Sequence, residues 1–258
     1  MSAASRVAAA RRWFRLLGKT PVVDHGAIVV ADPSHPNVWD ANFALAEPDA
    51  DPDAVIAALD RAMPHSQWRV VVADALTDPA MAATLGFEGF EQAGPLIEML
   101  ASESASLSQA VAPITLRRAT PDENWPAFEL LVRADHREGL RTGPYNVELS
   151  NGLLATMRNR SLLCHYSIIA LDGVDVGYGL STRCPNGLGI IDELFTLPGW
   201  RGRGVMSAFI VAADRELRQA GCDGVFLDAF ADDRPRLLYA RLGFRPVAIT
   251  CRWTKRLP

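Results

Sequence analysis

The run Ile190-Ile-Asp-Glu-Leu-Phe-Thr-Leu-Pro-Gly-Trp-Arg-Gly-Arg-Gly-Val-Met-Ser207 concentrates the chemistry of this chain. A strand ends, a Gly-rich turn follows and a helix begins. Amides at the start of a helix point one way and carry the positive end of its dipole. Gly202 and Gly204 let the main chain approach a ligand closely, and Arg201 and Arg203 add mobile positive charge. That combination suits a pyrophosphate; the plain alternative is a tight strand-to-helix turn with solvent-exposed arginines. Just upstream, Asp192 and Glu193 place two carboxylates in mid-strand, where one can act as a general base, directly or through water. Alternation sends adjacent side chains to opposite faces, and a bulge would change which of them faces a cleft. Either can instead be an ion-paired or edge carboxylate. His165 and His136 are further candidate bases, although a lone histidine is more often structural. The sequence shows no local nucleophile signature, and no histidine, carboxylate or cysteine cluster with metal-ligand spacing.

Three phosphate-binding designs compete for the turn. A Walker A loop requires a Lys that is missing here. A dinucleotide fold half-matches through Gly202, Gly204 and Ser207, with Asp228 ending the following strand. However, Leu197-Pro-Gly-Trp-Arg201 separates strand from glycine, Ser207 replaces the third glycine, and little chain follows. The third design fits best. Arg201-Gly-Arg-Gly204-Val-Met206 resembles the R/Q-x-x-G-x-G/A signature of the GNAT superfamily of acyl-CoA-dependent N-acyltransferases. Phe195-Thr-Leu-Pro-Gly-Trp200 resembles the approach to that signature, and Leu237-Leu-Tyr-Ala-Arg-Leu-Gly-Phe244 is similar to the family's closing LYxxLGF element. The resemblance spans residues 114–253. Met206 departs from it, standing where the family prefers Gly or Ala.

The resemblance implies a GNAT acyltransferase fold of the α+β class: a central mixed sheet flanked by helices, with acetyl-CoA as co-substrate. Backbone groups of Leu194, Phe195 and Thr196 would pair with the pantetheine arm as an added strand would. Amides of Gly202, Arg203, Gly204, Val205, Met206 and Ser207 would hold the pyrophosphate, with the Arg201 and Arg203 side chains nearby. Tyr239 matches the tyrosine that protonates the departing thiolate, and Asp232 falls near a position that contacts the cofactor arm. Asp192 matches by position the base of some polyamine-acetylating relatives, with Glu193 as fallback. The acceptor would be an amine, either a small cationic molecule or a peptide N-terminus. A non-catalytic acyl-CoA-binding sensor or scaffold is the alternative that Met206 leaves open.

These groups need elements to hold them. Thr120 and Pro121 read as the start of a helix over 121–137, followed by a polar loop from Arg137 to Tyr145 and a helix at 146–158. Strands are expected at 164–171 and 174–181 across Asp172-Gly173, and at 189–196. A helix at 205–220 ending before Gly221, a strand at 225–229, a helix at 235–242 and a strand at 247–253 complete the domain. The polar stretch 101–110 reads as a linker, which divides the chain into 1–112 and 113–258.

The first half reads as a fainter copy: strands at 26–30, 38–46, 68–73 and 93–100, with helices at 52–62, capped by Asp51, and 79–85. Leu85-Gly-Phe87 echoes Leu242-Gly-Phe244. It lacks an R-x-x-G-x-G loop, having Glu47-Pro-Asp-Ala-Asp-Pro52 at that place, which would repel a pyrophosphate. The half is expected to be degenerate in cofactor binding, and to shape the acceptor cleft or support a homodimer. Before it, Val7, Ala10, Phe14 and Leu17 mark one face of an amphipathic helix interrupted by arginines, which reads as packing on the body or a partner rather than as a secretory signal.

Composition bounds the rest. The chain has 258 residues, 49% hydrophobic and 22% charged, which are globular proportions. Its net charge of −4 argues against a nucleic-acid partner, and no apolar run is long enough for a membrane span. Four dispersed cysteines without a CxxC pair point to reduced thiols and a cytoplasmic setting.

Overall fold

The computed structural model describes residues 1–105, 112–139 and 145–258. Residues 106–110 of the expected linker and 140–144 of the expected loop lie outside these. The chain forms two compact units, one of Met1–Glu98, Ala229–Asp233 and Val247–Pro258, the other of Met99–Asp228 and Arg234–Pro246.

The first unit runs α1 (Ala3–Leu16), β1 (Val22–Asp24), β2 (Ala27–Val30), β3 (Phe43–Ala46), α2 (Pro52–Ala62), β4 (Trp68–Ala73), α3 (Pro79–Phe87) and most of β5 (Glu91–Ala101). β1, β2 and β3 pair antiparallel, and β3 pairs parallel with β4 across the α2 crossover. Asp51 caps α2 by accepting from the Asp53 amide at 3.1 Å, and Pro52 supplies a first-turn residue that needs no donor. Val55, Leu59 and Met63 from α2 and its C-cap, with Met81 and Leu85 of α3, pack on Val29, Ala44 and Val71. The α1 helix lies on this body with Val7, Ala10 and Phe14 buried. Its arginines turn inward too: Arg12 makes two 2.8 Å bonds to Asp74, and Arg11 two of 3.2 Å to Glu98. The strand expected over 38–46 begins only at Phe43. Asn42 donates to the carbonyls of His35 and Val38 and accepts from the Asp32 amide, so its side chain draws the preceding residues into a turn.

The second unit contains β6 (Ile114–Ala119), α4 (Trp125–Glu138), α5 (Val147–Arg160), β7 (His165–Leu171), β8 (Val174–Arg183), β9 (Leu188–Thr196), α6 (Val205–Gln219), β10 (Gly224–Phe230) up to Asp228, and α7 (Pro235–Arg241). Strands β6 to β9 pair antiparallel in sequence order, and β9 pairs parallel with β10 across α6. Asp172 and Gly173 both have positive φ, as a tight hairpin turn requires. α4 starts at Trp125, later than expected. Thr120 instead closes a turn with Glu123 through two backbone bonds and its own hydroxyl, and the left-handed Asn124 leads into the helix. The first residues of the expected linker are fastened to α6: Asp214 accepts from the Ala105 amide at 2.8 Å, and Arg218 donates to the carbonyls of Ala101 and Glu103.

The last strand, β11 (Arg245–Arg256), pairs antiparallel with β4 from Cys251↔Ala73 to Arg256↔Trp68. The strand expected to close the second half therefore completes the first unit's sheet, where Trp253 packs on the core under α2 and α3.

The two units repeat one order: antiparallel strand, parallel βαβ crossover, then a second helix. The repeat aligns differently from the sequence echo. The Phe90 amide bonds the Leu85 carbonyl at 2.9 Å, and the Phe244 amide bonds the Tyr239 carbonyl at 3.0 Å. Gly89 and Gly243 precede them with φ of 79° and 101°, giving the same helix-ending loop. The counterpart of Phe244 is thus Phe90, both buried, while Phe87 is exposed. Leu85 stands where the second unit has Tyr239.

Candidate acyl-CoA site

The pairing of β9 with β10 covers Leu188↔Gly224, Gly189↔Val225 and Ile190↔Phe226 and stops there. β9 runs on to Thr196, so its last residues leave backbone groups on that edge outside the ladder. A bulge interrupts the other edge. Tyr178 pairs with Phe195 and Leu180 with Asp192, so three steps on β9 oppose two on β8. Glu193 is in left-handed conformation, φ 51°, at the extra residue.

The expected alternation of Asp192 and Glu193 therefore fails. Directly paired residues share a face, which places Asp192 with Leu180 and Phe195 with Tyr178. Tyr178 and Leu180 are two apart on one strand, so all four belong to the same face. It is the face covered by α4, where Phe128 packs on Tyr166 and Tyr178 with ring centroids 5.0 and 5.2 Å apart. Glu193 accepts from Arg160 Nη1 of α5 at 2.6 Å, and Asp192 Oδ1 accepts the Glu193 amide at 2.8 Å. On the opposite face Leu194 and Phe209 of α6 close on Gly179, where an added Cβ would lie 2.3 Å from the Phe209 ring.

Beyond Thr196 a short 3-10 turn, Pro198–Trp200, leads into the glycines. Gly202 and Gly204 have φ of 75° and 78°, and Gly204 is the N-cap of α6. Residues Arg201 to Gly204 are exposed, Val205 is buried, and Met206 and Ser207 are half-buried. Arg201 has partners within the second unit: Nε donates to the Thr196 carbonyl at 2.9 Å, Nη2 donates to Glu138 at 2.5 Å, and the guanidinium lies over Phe195. Arg203 stacks 4.7 Å from the centroid of Trp200. Thr196 Oγ1 is buried with no hydrogen-bond partner at the end of β9.

Tyr239 is buried on α7 in edge-on contact with Phe244. Asp232 is exposed and belongs to the first unit. His165 is exposed, 3.9 Å from Glu216. His136 sits on α4, buried against Ser150 Oγ at 2.8 Å, with its pKa pushed down to about 4 by burial and by Arg133. A base that weak does not compete for a proton at neutral pH.

Two residues went unnoticed in the sequence, Tyr178 and Arg160, whereas Asp135 already read as one of the acidic residues favouring a cationic acceptor. Tyr178 Oη donates to Asp135 Oδ2 at 2.5 Å, and burial holds the Asp135 carboxyl above its ordinary value. Asp135 lies seven residues after Phe128, two helical turns, so the spacing did place both on one side of α4. Arg160 had no sequence signal. Among the described residues no group of three or more metal-ligating side chains comes together, and no helix is long and apolar enough to cross a membrane.

In the second unit a strand outruns its parallel neighbour and leads through a Gly-rich turn into the N-terminus of a helix. The sequence signature of the acetyltransferase (GNAT) family matches residues 125–244, and the second unit is a GNAT domain. No curated protein sequence matches the chain. Solved structures share the fold. A GCN5-related N-acetyltransferase from Kribbella flavida superposes with a TM-score of 0.72 at 17% identity, over 99% of this chain and 96% of its own. A putative GNAT-family acetyltransferase from Novosphingobium aromaticivorans gives 0.57 at 18%, over 95% and 96%. A tandem GNAT protein from the clavulanic acid biosynthesis pathway gives 0.57 at 14%, over 83% and 75%. The first unit is GNAT-like in fold as well.

Proposed function

We propose that this acyltransferase moves an acetyl group from acetyl-CoA to a primary amine, on a small cationic molecule or a peptide N-terminus, by direct attack in the second unit. The observation that carries the reading is that β9–β10 pairing ends at Ile190/Phe226 while β9 itself runs on to Thr196, ahead of the turn at 201–204. The open edge at Leu194, Phe195 and Thr196 would add the pantetheine arm as a strand, and the orphaned Thr196 hydroxyl suits an amide-bearing guest. Amides of residues 202–207 would take the pyrophosphate, with Arg203 beside them. Arg201 would set the turn against Glu138 and supply less net charge than an unpaired arginine.

In the reaction the amine nitrogen bonds the thioester carbonyl carbon and the carbon–sulfur bond breaks. Asp192 receives the ammonium proton, and Tyr239 donates its phenolic proton to the departing thiolate. Glu193, committed to Arg160, is the poorer proton acceptor of the adjacent pair. The first unit has Leu85 in the place of Tyr239 and an acidic, Pro-containing segment after β3, so it would hold no acyl-CoA of its own. A cytoplasmic setting would suit the four free cysteines.

Thermal unfolding with acetyl-CoA, CoA and NAD in parallel tests the reading. A ligand at 100 times its Kd that binds only the folded state stabilises by about 2.7 kcal/mol. The expected result is a rise in Tm with both CoA species and none with NAD. Absence of any CoA effect withdraws the reading. Tight acetyl-CoA binding without transfer to a broad amine panel replaces it with a sensor.

A further inference from the structure

The first unit holds a cluster of arginines that the acyltransferase reading does not use. Arg11 and Arg15 stand four residues apart on α1, and Arg252 lies on β11. Two carboxylates serve them, and both are engaged. Glu98, fully buried, accepts Arg11 Nε and Nη2 at 3.2 Å and the Thr250 hydroxyl at 3.1 Å. Asp40 accepts Arg252 Nη2 at 3.0 Å. Arg15 is the remainder: its Nε is buried with no hydrogen-bond partner. Burial lowers its pKa, the Arg252 and Arg11 charges lower it further, and the Asp40 and Glu98 charges offset this in part.

A lysine so placed could shed its proton, but a guanidinium stays charged throughout the working range of a protein. A buried donor without an acceptor is destabilising, the more so when it carries charge. The remedy left is an anion from outside, and Arg15 as a residue is half-buried, with its Nε turned inward. The guanidinium fork matches two oxygens of one carboxylate or phosphate.

We propose that Arg15, flanked by Arg11 and Arg252, forms a binding site in the first unit for a small oxyanion, a phosphate or carboxylate group. This site is independent of the turn at 201–207 and does not require that the chain bind acetyl-CoA.

The test is thermal unfolding of the full chain in inorganic phosphate, citrate and chloride at matched ionic strength, for wild type, Arg15→Met and Arg15→Gln. The expected result is a concentration-dependent rise in Tm with phosphate or citrate over chloride that both variants lose. In chloride both variants should equal or exceed wild type, since the orphaned cation is gone. The order of phosphate and citrate tells which oxyanion the fork prefers. Any of three outcomes overturns the proposal. Phosphate and citrate may leave wild type unmoved; the variants can retain the shift, which puts the anion elsewhere, such as the Gly-rich turn; or both variants unfold more easily in chloride, which makes Arg15 a structural cation. An acetyl-CoA shift that is the same in all three proteins separates this site from the acyltransferase site.

Discussion

Arg160 Nη1 donates to Glu193 Oε1 at 2.6 Å, joining a buried guanidinium at the end of α5 to the left-handed residue of the β9 bulge. The pair fastens the strand distortion that puts Asp192 and Phe195 on one face. Removing one partner leaves the other charge in a poorly solvated place, a loss of several kcal/mol when both are fully buried. Glu193 keeps some exposure, so Arg160→Met should cost about 2–3 kcal/mol in urea unfolding. Glu193→Gln, which can still accept from Arg160, should cost less. Equal costs would mean that the guanidinium is held by something other than Glu193.

Asp192→Asn and Tyr239→Phe separate chemistry from binding. General acid–base groups contribute roughly 10²–10⁴-fold to rate. Each variant should lose about that much acetyl transfer to a responsive amine while keeping the acetyl-CoA-induced rise in Tm. Turnover equal to wild type in both would move the proton transfers to other residues, with Asp135 the next carboxylate to change.

The turn can be strained without crowding it. A Cβ at Gly202 would meet nothing within 4 Å, so the cost of Gly202→Ala lies in its φ of 75° alone. Left-handed backbone costs an L-residue about 1–2 kcal/mol. Stability should fall by about that amount, and acetyl-CoA affinity should fall with it because the amides of residues 202–204 change direction. A variant that loses stability but binds acetyl-CoA unchanged would remove the turn from the cofactor site.

Gly179→Ala acts from the opposite side of the sheet. Its Cβ would fall 2.3 Å from the Phe209 ring and 3.0 Å from Leu194, so α6 must move off β8 and β9. Overpacking of this kind costs about 1–3 kcal/mol. Because α6 begins at the Gly-rich turn, acetyl-CoA binding should weaken in parallel. Chemical denaturation and calorimetric titration of the same variant check the two effects.

How far the sequence reached depended on the range of the cause. Elements with local signals were legible: Asp51-Pro52 opened α2, Asp172-Gly173 turned the β7–β8 hairpin, and Gly202 and Gly204 took the left-handed backbone that their type allows. Features set by distant partners were not. Asn42 delayed β3 through bonds to a loop, and Arg160 reached Glu193 from 33 positions away. Alternation in β9 failed because a bulge is a property of two strands, and only the β8 register reveals it. The Leu-Gly-Phe echo misaligned the repeat by three residues because identical letters were matched. The helix-ending loops at Gly89 and Gly243 are the physical counterparts. The pairing of β11 with β4 carried no sequence mark.

His136 gives the second unit an acid-sensitive fastening between α4 and α5. Its ring is buried against Ser150, and burial, aided by Arg133, depresses its pKa from 6.5 to about 4. Above pH 6.5 the ring is neutral in both folded and unfolded chains and adds no pH dependence. Between 6.5 and 4 the unfolded chain takes up a proton that the folded one refuses, so stability falls with pH and then levels off. A shift of that size amounts to roughly 3 kcal/mol in full, of which about 2 kcal/mol should be lost between pH 7 and 5. His136→Gln keeps a hydrogen-bonding group for Ser150 and removes the titration. Urea unfolding at pH 7 and 5 should show wild type losing about 2 kcal/mol more than the variant over that interval. Parallel losses in the two proteins would place the acid sensitivity elsewhere and leave His136 as a packing residue only.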